Sequence, residues 1–229
     1  MKKLSSILIL AFLAFGITSK AQQRQVSNFT GIEIGGSIEA IVKLGNTESL
    51  KLEGDQEAID NLITEVKNGV LTIKPKTKWN DWFKKFKNAK ITAYITAKKI
   101  TSLGLGGSGS IDVDGTINSS SLSVAVSGSG NIKASANVTK FEGAISGSGG
   151  LSINGKAKDS DIAVSGSGTF SGKNFSVETI SAHVSGSGNI YIDAQKSIDA
   201  AISGSGNISY SGNPTIQKSV SGSGAVRKI

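Results

Sequence analysis

The chain has 229 residues, with 25 Lys or Arg against 17 Asp or Glu and a formal net charge of +8. That length allows one domain with a substantial core. There is no cysteine, which excludes disulfides, thiolate chemistry and lipoprotein processing.

The chain opens on a targeting pattern. Lys2 and Lys3 form a basic start, Ile7 to Ile17 is apolar, and Ser19-Lys20-Ala21 places small residues at a cleavage position. The apolar run is too short for a folded membrane anchor. A signal peptide over 1–21 is expected, cut between Ala21 and Gln22, with the product in the periplasm, on the outer surface or outside the cell. No later stretch has the apolar length of a span, so the mature chain is expected to have no transmembrane segment. Three of the 25 basic residues lie in 1–21, leaving +5 on the remainder.

Residues 22–100 read as a β-rich region and cap. Ile32-Glu33-Ile34, Ile38 to Val42 and Leu50-Lys51-Leu52 alternate as strands. Gly45-Asn46 predicts a hairpin turn between the second and third of these. Asp55 predicts the cap of a short helix carrying Ala58, Ile59 and Leu62. Asn68-Gly69 predicts a tight hairpin between Val66-Lys67 and Val70 to Ile73. Residues 74–90 then carry seven lysines and one acid, Asp81. Trp79, Trp82, Phe83 and Phe86 fall at i, i+3, i+4 and i+7, one face of a helix. Packed over the sheet, that face is a cap with solvated lysines. Exposed, Trp79, Trp82, Phe83, Lys84, Lys85, Phe86 and Lys87 form a candidate surface for an anionic glycan or envelope polymer. Ile91 to Ala97 is a further alternating strand.

Residues 101–229 are a repeat. Ser-Gly-Ser-Gly recurs six times from Ser127 to Gly224, preceded by the variant Gly106-Gly107-Ser108-Gly109. The first glycines of the cores, Gly107, Gly128, Gly147, Gly166, Gly186, Gly204 and Gly222, are 18 to 21 residues apart. A period near 20 is a solenoid signature. Two residues before these glycines stand Leu105, Val126, Ile145, Val164, Val184, Ile202 and Val220; four after stand Ile111, Ile132, Leu151, Phe170, Ile190, Ile208 and Val226. Both columns are wholly apolar, so each repeat reads as two short arms around a glycine corner, with one face buried. The fold class expected is all-β: a single-stranded parallel β-helix with an N-terminal β-rich cap. The serines are expected to satisfy corner backbone groups. Ala125, Ala144, Ala163, His183, Ala201 and Ser219 alternate outward; a return segment of the same chain is expected across them. Arg227 and Lys228 are charges of the kind that discourage edge pairing, which predicts a monomer or weak association through that end.

Chemical motifs are few. Gly104-x-Gly106-x-x-Gly109 matches a dinucleotide fingerprint by letter, but a strand pattern follows where a helix is needed. Ile111 and its equivalents occupy the position where calcium-binding nonapeptides need Asp. Asp112/Asp114 and Asp159/Asp161 are i, i+2 pairs, about 7 Å apart on a strand. That overlaps the spacing of inverting glycosidases, but Lys133 and Ser135 follow on the next coil, with no acid to extend a site. His183 is the lone histidine, with no partner visible in sequence. No catalytic, cofactor-binding or metal-binding residue is assigned, and neither a cofactor nor a nucleic-acid partner is expected.

Phe29 to Ile34, Val70 to Ile73, Ile91 to Thr96 and Leu103 to Gly109, followed by Ser-Gly-Ser-Gly-Asn-Ile, together resemble the GIN-domain family of auto-transporter adhesin head domains, common in secreted proteins of Bacteroidetes. The resemblance spans roughly residues 29–212. It implies a right-handed β-helix and an extracytoplasmic location, and brings no catalytic residues. Residues 78–88 look like a variable insertion. The function expected is that of an exported, non-enzymatic adhesion or binding module. The alternatives are a polysaccharide lyase or hydrolase on the same scaffold, or a scaffold element of an envelope complex.

Overall fold

The computed structural model describes residues 21–77, 79–86 and 88–229. The expected leader, apart from Ala21, lies outside the described residues, as do Lys78 and Lys87.

The N-terminal region contributes β1 (Gln22–Arg24), β2 (Gly31–Gly36), β3 (Glu39–Leu44), β4 (Ser49–Gly54), α1 (Gln56–Asp60), β5 (Leu62–Lys67), β6 (Val70–Pro75), α2 (Trp79–Phe86), β7 (Ile91–Ala97) and β8 (Ser102–Gly107). The long strands β9 (Ser110–Gly128), β10 (Asn131–Gly147), β11 (Gly150–Gly166), β12 (Thr169–Gly186) and β13 (Asn189–Gly204) follow. The shorter β14 (Asn207–Ser211), β15 (Thr215–Gly222) and β16 (Ala225–Lys228) end the chain. All join one sheet, which winds into a β-solenoid of about 7 turns.

Two walls run along it. One is β1-β4-β7-β3 continued by the first halves of β9 to β13, then β14 and β16. The other is β5-β6-β2-β8 continued by the second halves, then β15. Each long strand serves both walls, its first half pairing in one and its second half in the other. The copies stack in register: Gly128 on Gly147, Gly147 on Gly166, and so on to Gly204 on Gly222. The apolar columns become ladders. Ile145, Val164, Val184 and Ile202 are buried, as are Ile111, Ile132, Leu151, Phe170, Ile190 and Ile208. Phe141 and Phe175 meet edge to face, 5.0 Å between ring centroids, and fill the middle of the array.

Several expectations are corrected. Gly45-Asn46 closes no hairpin, because β7 inserts between β3 and β4, pairing parallel to the first and antiparallel to the second. A local turn signal has no means of registering a strand that arrives from fifty residues on. The corner serines do not satisfy the corner backbone with their hydroxyls. Ser129 and Gly130 instead donate their backbone N–H to Gly107 O at 2.9 and 3.0 Å, and the pattern recurs to Ser223 and Gly224 on Gly204 O. Stacking satisfies these groups directly, and Ser127 and Ser129 stay exposed. Among the described residues no return segment covers the outward alanines: Ala125, Ala144, Ala163 and His183 are exposed. The apolar columns also open at the last turn, where Val220 is 40% exposed and Val226 half-buried, since no coil stacks beyond them in the described chain.

The Asn68-Gly69 hairpin and the Asp55 cap are present. Asn68 and Gly69 both take positive φ between β5 and β6. Asp55 Oδ1 accepts from the Ala58 N–H at 2.9 Å.

Candidate functional site

The basic-aromatic stretch forms α2, with Trp82 3% and Phe86 9% exposed and both joined to the core cluster. Their ring centroids are 4.6 Å apart. Burial of this aromatic face is the larger free-energy gain for an amphipathic helix beside a sheet, so neither ring offers a ligand platform. The side chains of Trp79 and Phe83 lie outside the described residues. Lys84 and Lys85 remain exposed. Lys85 Nζ lies 2.7 Å from Glu57 Oε1 and 5.2 Å from the Phe86 ring centroid, tying α2 to α1. What survives of the expected surface is its charge. At the expected cleavage position Ala21 is exposed, and Gln22 begins β1, opposite Leu52 of β4.

Several outward carboxylates are engaged by neighbours, and Glu142 and Asp161 stand in register on adjacent coils. Asp112 lies 4.0 Å from Lys133 Nζ. Asp159 accepts from Thr179 Oγ1 at 2.7 Å. Asp193 accepts from Gln195 Nε2 and Ser211 Oγ, at 2.8 and 2.9 Å. Glu142 pairs with Lys140, and that hydrogen bond raises the lysine pKa above its ordinary value. Among the described residues, no three His, Asp or Glu side chains are placed to hold a metal. His183, which sequence alone leaves without a partner, has one: its Nε2 is 2.8 Å from Ser181 Oγ. In register on the neighbouring coils, Asp161 and Asp199 flank Ser181, and Ala163 and Ala201 flank His183. The pair sits on an open, exposed wall.

A second feature escapes a search for acids and histidines. In β7, Ile91, Ala93, Ile95 and Ala97 point inward, which sends Tyr94 outward, 39% exposed. Tyr94 lines a cleft of about 520 Å³ together with Gln23, Lys43, Ser49, Thr96 and Asp114. Its size is that of a small-ligand site. The N-terminal arm forms one side, held by Arg24, whose guanidinium donates to Ile59 O at 2.8 Å and Leu62 O at 3.3 Å. Lys51 Nζ lies 5.8 Å from the Tyr94 ring centroid. Its hydrogen bond to Glu53 raises the Lys51 pKa, and the Lys51–Glu53 pair rims the ring. Strict alternation in Ile91 to Ala97 is the sequence signal that finds this tyrosine: an aromatic in the polar phase of a strand.

Among curated proteins, none matches the chain. Solved structures share its architecture. A putative adhesin of Bacteroides fragilis is 23% identical with TM-score 0.79, covering 93% of this chain and 98% of its own. A "putative lipid binding protein" of Parabacteroides distasonis is 24% identical with TM-score 0.73, covering 92% and 96%. A putative adhesin of Parabacteroides merdae is 19% identical with TM-score 0.69, covering 93% and 98%. These likenesses establish the solenoid fold, cap included. The family model described as "Putative auto-transporter adhesin, head GIN domain" matches residues 28–214. With most of its length inside that match, from β2 through β14, the chain belongs to the GIN-domain family.

Proposed function

We propose that this chain is an exported, non-enzymatic binding module of the cell envelope, an adhesion-type head that holds a repetitive polymer on its outer walls. The observation that supports this best is the uncovered wall. Outward side chains repeat coil after coil in register, and nothing in the described chain lies across them. A rigid row of equivalent positions suits a ligand that is itself repetitive, because each weak contact recurs and the contacts act together. Two features support the non-enzymatic reading. Asp159 is held by Thr179 and Asp193 by Gln195, and the Ser181–His183 pair sits on an open surface, where water is not excluded.

The cap contributes a second element. Lys84 and Lys85 project from α2 and supply positive charge for an anionic glycan or envelope polymer, while Trp82 holds the helix in place. Attraction of that kind weakens with salt. The test uses the protein exported with its own leader. Cell fractionation locates it, and equilibrium binding to isolated envelope and to lipopolysaccharide is measured at low and high salt. Binding reduced by salt and by Lys84→Gln with Lys85→Gln is the expected result. An exported protein that binds no envelope polymer overturns the reading.

A further inference from the structure

On the β1-β4-β7-β3 wall, Tyr94 stands in an outward column that follows Gln23 and Lys51. Its register neighbours in successive strands are Ile41, Asp112, Lys133, Ser152, Ser171 and then Tyr191. Six rungs separate the two tyrosines, roughly 29 Å. Each has a lysine ammonium over its ring, Lys51 at 5.8 Å and Lys173 at 4.7 Å from the centroid, and a sugar stacking on the ring displaces that side chain. The charges between them cancel, Asp112 against Lys133 at 4.0 Å. The adjacent outward column carries Thr92, Glu39, Ser110, Asn131, Gly150, Thr169 and Asn189, a row of polar side chains on the same wall interrupted at Gly150.

We propose that this wall binds an extended, uncharged β-linked polysaccharide along the solenoid axis, with Tyr94 and Tyr191 as its two stacking platforms. A pyranose has an apolar C–H face and a hydroxyl-bearing rim. A partly exposed tyrosine offers the first an amphipathic surface, and the hydroxyl and amide column offers the second its partners. The rung spacing, about 4.8 Å, is near the length that one pyranose adds to an extended β-1,4 chain, so a chain lying along the axis stays roughly in step with the rungs over several units. The cancelled charge in the middle of the column favours a neutral polymer over an anionic one. This inference rests on the reading of the chain as a polymer-binding module, but not on the lysines of α2.

The test is calorimetric titration of the full exported protein with cello-, xylo- and manno-oligosaccharides of increasing length. Affinity should rise steeply once a chain spans both tyrosines and should be insensitive to salt. Tyr94→Ala and Tyr191→Ala should each weaken binding of the long oligomers about three- to tenfold. Tyr94→Phe should retain it, since stacking needs the ring and not the hydroxyl. Denaturation midpoints of the variants report whether the wall itself is intact. No binding of any of these oligomers overturns the proposal, as does binding that neither tyrosine affects. If the Tyr94→Ala/Tyr191→Ala protein binds the long oligosaccharides as the wild type does while isolated envelope is still bound, the adhesion reading stands and this one fails. If wild type binds neither envelope nor oligosaccharide, both fail.

Discussion

The close stacking of the Ser-Gly-Ser-Gly corners makes a sharp prediction at Gly147. Its φ is 113°. A Cβ added there would lie 2.5 Å from Gly128 O and 3.2 Å from Gly128 C, both backbone atoms that cannot rotate away. Those atoms belong to the carbonyl that accepts from Ser148 N–H and Gly149 N–H, each at 2.9 Å. Gly147→Ala therefore incurs the backbone strain of a positive φ, about 1–3 kcal/mol. Pushing the coils apart also weakens two hydrogen bonds, at roughly 1 kcal/mol each. The expected loss is about 3–5 kcal/mol, a large part of a domain stability of about 5–15 kcal/mol. Gly69 separates the two causes. Its φ is 76°, yet nothing lies within 4 Å of an added Cβ. Gly69→Ala should cost only the strain, about 1–2 kcal/mol. Urea denaturation of both variants, followed by far-ultraviolet circular dichroism, gives the comparison. Equal losses in the two proteins would refute the argument that coil-to-coil contact, and not backbone conformation alone, demands glycine at the corner.

Three further perturbations test other parts of the structure. Ser160 is buried between Phe141 and Ile180 in an apolar ladder, and its Oγ has no hydrogen-bond partner. Ser160→Ala should raise stability by about 1–2 kcal/mol in chemical denaturation, and a loss there would show that the hydroxyl is engaged. Trp82→Ala should cost about 3–5 kcal/mol by emptying a buried site, whereas Lys85→Gln should cost less than about 1 kcal/mol, since its pair with Glu57 is exposed; thermal melting distinguishes them. The Asn28 backbone N–H, 3.0 Å from Glu48 Oε2, holds that carboxyl below its ordinary 4.5. A depressed folded pKa stabilises above the unfolded value and loses that contribution as pH falls through the folded one. Glu48→Gln should therefore flatten the fall in urea midpoint below pH 4.5, and an unchanged acid limb would rule the contact out as its source.

The array was legible in the sequence because each coil must repeat the same solution. Buried positions such as Ile145 and Val164 face each other through register, so one copy predicts the next. Locally closed features were legible for a similar reason: Asn68-Gly69 and Asp55 act on residues within one turn of themselves. What was not legible depends on contacts across long separations. The entry of β7 between β3 and β4 is set by pairing between Ile91–Ala97 and strands some fifty residues earlier, and no local signal at Gly45 reports it. The aromatic helix was legible as a helix, but whether its apolar face meets the core or a ligand is a tertiary matter; for Trp82 and Phe86 the core takes it. The corner serines do not bond the corner because backbone stacking already satisfies most of the groups their hydroxyls would serve. Ser-Gly-Ser-Gly is then better understood as glycine imposed by geometry, with serine as a small polar residue that an exposed corner tolerates.

That distinction bears on where function resides in such a fold. The inward columns are constrained by the ladder and the corners by close approach, so neither is free to encode a ligand. The outward columns are free: they tolerate Ala144, Glu142 or His183 without effect on the stack. An outward residue that is large and apolar bears the cost of exposure with no return to the core, and needs a reason outside the scaffold. By this criterion the exposed alanines and serines say little, since small side chains are what a bare wall would carry in any case. The lysines of α2 say somewhat more, because they concentrate charge on one cap. Tyr94 says most. It stands in the polar phase of a strand whose other phase, Ile91, Ala93, Ile95 and Ala97, is buried, and it opens onto a cleft whose wall is built by the pairing of the N-terminal arm with β4. The scaffold would be as stable with threonine there, so the binding experiment is best begun at that ring.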